Sequence, residues 1–131
     1  MELLYKKESY IIQGVAFGIY KQFRNNYKEK VYHNAYYLGL NCKGLKAEKE
    51  KRINIFYNDK RVGTYTPDLI VNDIILIELK AKPNLTKQDI EQFWYYLKGS
   101  KYKVGYLINF GTPGGVQIIR RVYDTARSKT K

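Results

Sequence analysis

The sequence predicts a mixed α/β domain, a central sheet flanked by helices. Three observations lead there. Hydrophobic periodicity alternates between helical and strand spacing in the order α-α-β-β-β-α-β-β. The stretch Ile74–Lys80 is apolar except for Glu78 and Lys80, the pattern of a buried strand. The strand–helix–strand passage over Ile74–Phe110 is a natural right-handed crossover, which makes its two strands parallel. With 131 residues and no repeat, linker or low-complexity segment, the chain reads as one domain over 1–131.

Each element has its own signal. Ser9–Phe23 reads as a helix with Ile12, Val15, Ile19 and Phe23 on one stripe, and Gly14 and Gly18 leaving room for close approach. Arg24-Asn25-Asn26 breaks it. Tyr27–Cys42 reads as a second helix that buries Val31, Ala35, Leu38 and Cys42 and turns Glu29, Tyr32 and Tyr36 to another face. Lys43-Gly44 ends it. Leu45–Tyr57 and Val62–Val71 read as strands around a turn at Asn58-Asp59-Lys60. Pro67, which has no N–H to donate, marks an edge, a bulge or a strand start. Ile74–Ala81 follows across Asn72-Asp73. Thr86 and Asp89 form a capping-box variant before a helix over Lys87–Lys98, which buries Ile90, Phe93, Trp94 and Leu97. Tyr102–Phe110 and Val116–Tyr123 are the last strands, separated by a Gly-Pro-rich turn. Asp124–Lys131 reads as a polar, basic, frayed tail.

Composition bounds the function. No apolar run approaches the ~20 residues that span a bilayer. The first residues lack a signal-peptide layout. One cysteine, Cys42, rules out an internal disulfide framework and a cysteine-built zinc site, and it reads as buried filler. A cytoplasmic location is the expectation. Twenty-four Lys and Arg against 12 acidic residues give a net charge of +12, with 14 tyrosines interleaved. That suits a phosphate backbone with bases to stack on. A lysine-rich surface from an A+T-rich genome would look similar.

The chemistry concentrates in Thr66–Lys82. Strand alternation puts Glu78 and Lys80 on one face with Ile74 and Leu76, and Ile75, Ile77 and Leu79 on the other. A carboxylate in such a strand is costly without a partner. Asp68 lies across the hairpin. Two carboxylates and a lysine at a strand end can hold a hard divalent cation beside a phosphate. The bland alternative is a Glu78–Lys80 surface pair. Glu29 likewise suits the helix dipole in a first turn, and His33, the only histidine, reads as an ordinary surface residue. The hairpin carries a geometric condition. A two-residue turn pairs Asp68 with Ile77 and sends the carboxylates to opposite faces, so a shared cation requires an odd-length turn or a bulge. A three-residue turn, Asn72–Ile74, makes Asp68 face Glu78.

Pro67-Asp68, nine residues, then Glu78-Leu79-Lys80 resembles the PD-(D/E)XK nuclease signature, and the surrounding α-β-β-β-α-β order is similar to that superfamily's restriction-endonuclease-like core. More narrowly, Ser9 to Gly111 resembles the GxxExxY family of small nucleases. Its naming motif falls on Asn26–Tyr32, where Glu29 and Tyr32 match and Asn26 replaces the glycine. Gln92 and Tyr96 are similar to the QxxxY element of RecB-type nucleases, and Leu107–Gly111 is also family-like. The resemblance implies metal-assisted hydrolysis of DNA phosphodiesters, with Mg²⁺ or Mn²⁺ held by Asp68, Glu78 and the Leu79 backbone carbonyl. Lys80 would orient water or stabilise the transition state. Glu29 would be a further ligand or a water-positioning group, and Gln92 would support the lysine or touch phosphate. Tyr32 and Tyr96 would orient or stack on the substrate. RNA is an alternative substrate. A catalytically silent nuclease-fold module for nucleic-acid binding or protein interaction is the alternative function, and a homodimer through the tyrosine-rich surface is a third possibility.

Overall fold

The computed structural model describes residues 4–123; the basic tail over 124–131 lies outside the described residues. Two helices come first, α1 (Lys6–Phe23) and α2 (Glu29–Cys42). Then come β1 (Ala47–Glu48), β2 (Ile53–Tyr57), β3 (Lys60–Tyr65), β4 (Leu69–Val71) and β5 (Ile75–Lys80). α3 (Lys87–Gly99), β6 (Val104–Asn109) and β7 (Gln117–Val122) complete the chain. The main sheet has the order β1-β4-β5-β6-β7. β5 and β6 run parallel, as the crossover requires, and the other neighbours are antiparallel.

Both faces of this sheet are covered. Ile75, Ile77 and Leu79 on β5 pack with Ile12, Ala16, Tyr20, Tyr32, Tyr36 and Leu40 of the first two helices. Leu76 and Ile70 on the opposite face pack with Phe93 and Leu97 of α3. β6 is therefore buried at every position. Gly105 on that strand is what lets α3 approach, since a Cβ there would stand about 3.0 Å from the Phe93 ring.

The helix ends follow local chemistry. Thr86 accepts from the Asp89 N–H at 3.1 Å, and the Asp89 carboxylate accepts from the Thr86 N–H at 2.9 Å, a complete capping box. At the end of α2 the Leu45 N–H reaches the Leu40 carbonyl and the Gly44 N–H reaches Asn41, with Gly44 at φ 88°. This is a Schellman motif, and glycine takes the left-handed position at no steric cost.

Two strand expectations are corrected. Leu45–Tyr57 is not one strand: β1 and β2 are separate and belong to different sheets. Val62–Val71 likewise divides at Thr66-Pro67 into β3 and β4, so β2 and β3 form a ribbon of their own. Proline cannot continue a ladder, and here it ends one sheet before the other begins.

The helix faces are also rotated from expectation. α2 buries Tyr32, Tyr36 and Leu40, while Leu38 is 64 % exposed and Val31 and Cys42 are exposed. Val15, Ile19 and Phe23 of α1 line a shallow apolar groove with Ala35, Leu38 and Cys42. The tyrosines win the interior because their hydroxyls find backbone carbonyls there. Tyr36 donates to Ile12 at 2.7 Å, and Tyr20 donates to Thr112. The inter-helix turn takes its positive φ at Arg24 (54°).

Candidate active site

The β4–β5 hairpin meets the geometric condition set by the sequence. Val71 pairs with Ile75 and Leu69 with Ile77, so three residues, Asn72, Asp73 and Ile74, make the connection. Asn72 and Asp73 both have positive φ (51° and 55°), and the Ile74 N–H closes the turn on the Val71 carbonyl at 3.0 Å. The same register, carried outward, sets Asp68 opposite Glu78 on one face.

Their contact is direct. The Asp68 N–H donates to Glu78 Oε1 at 2.9 Å, and Asp68 Oδ2 accepts from the Leu79 N–H at 2.7 Å. Pro67 then lies opposite Leu79 and has no N–H to give the Leu79 carbonyl. Burial, then the Asp68 charge, pushes the Glu78 carboxyl up to about 7. Burial raises Asp68 as well, opposed by the Leu79 N–H and by the His33 and Lys80 charges. Lys80 therefore acts on both carboxylates, and its ammonium makes no ion pair among the described residues.

α2 brings its first turn to the same place. Glu29 begins the helix, exposed, and its carboxylate adds negative charge near Asp68. His33, one turn on, stands between them, 3.1 Å from Glu29 and 3.8 Å from Asp68. Sequence reasoning set His33 aside; its i, i+4 spacing from Glu29 was the available signal. Glu29, His33, Asn34, Lys49 and Asp68 line an open cleft of about 380 Å³.

The other side is closed by aromatic rings. Tyr65, the last residue of β3, lies beside Glu78. Burial and then the Glu78 charge push its hydroxyl pKa far up, yet no hydrogen bond closes between them and the buried oxygen is left without a partner. Tyr96 on α3 stacks flat on Tyr65, with ring centroids 3.6 Å apart. Tyr65 is the second residue that sequence reasoning missed. In the sequence it is only one position in a longer expected strand, Val62–Val71.

One expected residue faces the core instead. Tyr32 is fully buried and stacks on Phe110 at 4.8 Å; its hydroxyl donates to the Arg24 carbonyl and accepts the Tyr27 N–H. It braces the turn between α1 and α2 and presents no ring to a substrate. Gln92 is on α3 with its side chain exposed.

Past Lys80 the chain is clamped by Asn109, which is fully buried. Its side chain pairs with both backbone groups of Lys82 at 3.0 and 2.9 Å, and it reaches Gln117 at 2.9 Å. The clamp fixes the exit of β5, and with it the strand end that carries Lys80.

The family comparison agrees with this architecture. A family model of the PD-(D/E)XK nuclease superfamily matches residues 6–122, and the chain belongs to that superfamily. Its five-stranded mixed sheet between helices is the restriction-endonuclease-like fold. The chain is also similar to the crystal structure of SSO0001, at 21% identity over 86% of this chain and 67% of that one, with a TM-score of 0.46. No curated protein matches it. Among the described residues, no helix is long and apolar enough to cross a membrane.

Proposed function

We propose that the chain is a Mg²⁺-dependent nuclease that hydrolyses DNA phosphodiester bonds. One observation carries the reading: the three-residue turn sets Asp68 against Glu78, with Lys80 one pleat further along the same face. Among the described residues, no three His, Cys, Asp or Glu side chains form a ready-made cage. The donor set nevertheless fits Mg²⁺, a hard cation that takes oxygen ligands and keeps several waters. Two facing carboxylates, one of them pushed up to about 7, form a site short of positive charge. Asp68, Glu78 and the Leu79 carbonyl would hold the ion. When bound, it neutralises phosphate charge and acidifies a water for attack.

The chain's own residues do the rest. Lys80 Nζ places a positive charge beside the phosphoryl oxygens, where negative charge builds in the transition state. Glu29, oriented by His33, accepts hydrogen bonds from water at the mouth of the cleft. Gln92, exposed on α3, is available to the phosphate. Tyr96 acts through Tyr65, which walls the Glu78 carboxylate off from solvent. Mn²⁺ would serve in place of Mg²⁺, and RNA is a second candidate substrate.

The test is a cleavage assay on DNA and RNA with Mg²⁺ or Mn²⁺, run beside Asp68→Ala and Lys80→Ala. The expected result is metal-dependent cleavage that falls by at least about a hundredfold in either variant while binding is retained. No cleavage by any of the three, with equal metal-independent binding, would overturn the reading in favour of a silent nucleic-acid-binding module.

A further inference from the structure

The catalytic reading leaves the β2–β3 ribbon unexplained. It is a two-stranded sheet apart from the main one. Such a hairpin is marginal alone and needs an anchor. The anchor is at its base, where Ile53 packs on the cluster of Ile70, Phe93 and Leu97. Its partner across the ribbon, Tyr65, stacks on Tyr96.

Beyond that base the ribbon is bare. Phe56 is 60 % exposed, Tyr57 69 % and Val62 64 %. The turn holds Asn58 and Asp59 at φ 49° and 64°, the left-handed pair of a tight type I′ hairpin. Val62 is an extra residue on β3, so the register shifts and Arg61 sits opposite Phe56. Successive strand residues face opposite ways, so Phe56 and Tyr57 offer rings on both sides. Arg61 pairs with Phe56 and Lys60 with Tyr57 across the ribbon, Arg52 lines a surface groove with Phe56, and none of the three makes an ion pair among the described residues. Lys51, by contrast, is held by Asp73 at 2.6 Å.

Free cations around two-sided aromatic rings suit phosphates and exposed bases. In a continuous duplex the base faces are already stacked on one another. The base of the ribbon, Tyr65, adjoins Glu78 and stands three residues before Asp68, so the ribbon is rooted at the carboxylates. We propose that the β2–β3 ribbon is a grip for nucleic acid with unpaired nucleotides. Arg52, Lys60 and Arg61 hold phosphates, and Phe56 and Tyr57 stack on bases where the strands part. The choice of nucleic acid rests on the nuclease reading; the grip itself is read without catalysis.

The experiment is fluorescence anisotropy on the full chain in EDTA, with three DNA probes: a single strand, a splayed-arm junction and a blunt duplex. Wild type is expected to bind the first two at least about tenfold more tightly than the duplex. Phe56→Ala/Tyr57→Ala loses about tenfold or more on those two and less than about threefold on the duplex. Arg52→Ala/Arg61→Ala weakens all three and flattens their salt dependence. The substituted side chains of Phe56 and Tyr57 are exposed, and unchanged thermal melting confirms that the variant folds. Unchanged binding of Phe56→Ala/Tyr57→Ala, or equal loss on all three probes, overturns the proposal. So does a dependence on these rings seen only with anionic phospholipid vesicles. Ring-dependent binding without cleavage sinks the nuclease reading alone; cleavage with ring-independent binding sinks the grip alone.

Discussion

Two carboxylates set face to face repel, and Glu78 carries the consequence. Its pKa of about 7 lies above the ordinary 4.5, with burial the larger cause and the Asp68 charge the second. An acid raised in the fold keeps a proton that the open chain has released. The associated stability is full below about pH 4.5 and is lost as pH rises through about 7. Metal-free protein should therefore lose stability across that window, on the order of a few kcal/mol at most. Glu78→Gln should flatten the loss in urea-denaturation curves taken between pH 4.5 and 8. Above pH 7, Mg²⁺ should raise the Tm of wild type by mass action and leave Asp68→Ala unmoved. A wild-type Tm indifferent to Mg²⁺ would count against the ion site. At this scale the shared face of Asp68, Glu78 and Lys80 is legible because alternation and turn length are simple geometry. His33 was not, because its relevance comes from α2 lying beside Asp68, a tertiary fact.

The elements show where local pattern stops informing. The buried strand, the capping box and the parallel crossover could be read directly. The helix faces could not: aliphatic periodicity pointed to Val31 and Leu38, yet tyrosines with satisfied hydroxyls fill the core. Pro67 was visible as punctuation, but nothing local says that the strands on its two sides join different sheets. Element junctions also hold the sharpest steric constraint. A Cβ on Gly111 would collide with the backbone of Ala81 and Lys82, which no side-chain adjustment relieves. Gly111→Ala should cost at least about 3 kcal/mol in chemical denaturation and disturb the strand end that carries Lys80. Thr86→Ala, which removes one cap bond at the start of α3, should cost only about 1 kcal/mol. Similar losses for the two would argue against a tight β5–β6 exit.

For the whole molecule the dominant quantity is charge. At +12, binding to any nucleic acid should weaken steeply with salt, and log K should fall linearly with log salt concentration. A salt titration of DNA binding checks this, and a flat profile would remove phosphate from the reading. Composition foretold the charge but not its layout, since the free cations of the ribbon are adjacent only after folding. The break at Thr66-Pro67 has a mechanical consequence. Three residue steps separate Tyr65 from Asp68, so their Cα atoms stand no more than ~11 Å apart, however the chain bends. The ribbon and Asp68 thus share one short tether. Only Thr66 and Pro67 lie between the end of the ribbon and Asp68, so the two sheets are joined with little slack in the chain.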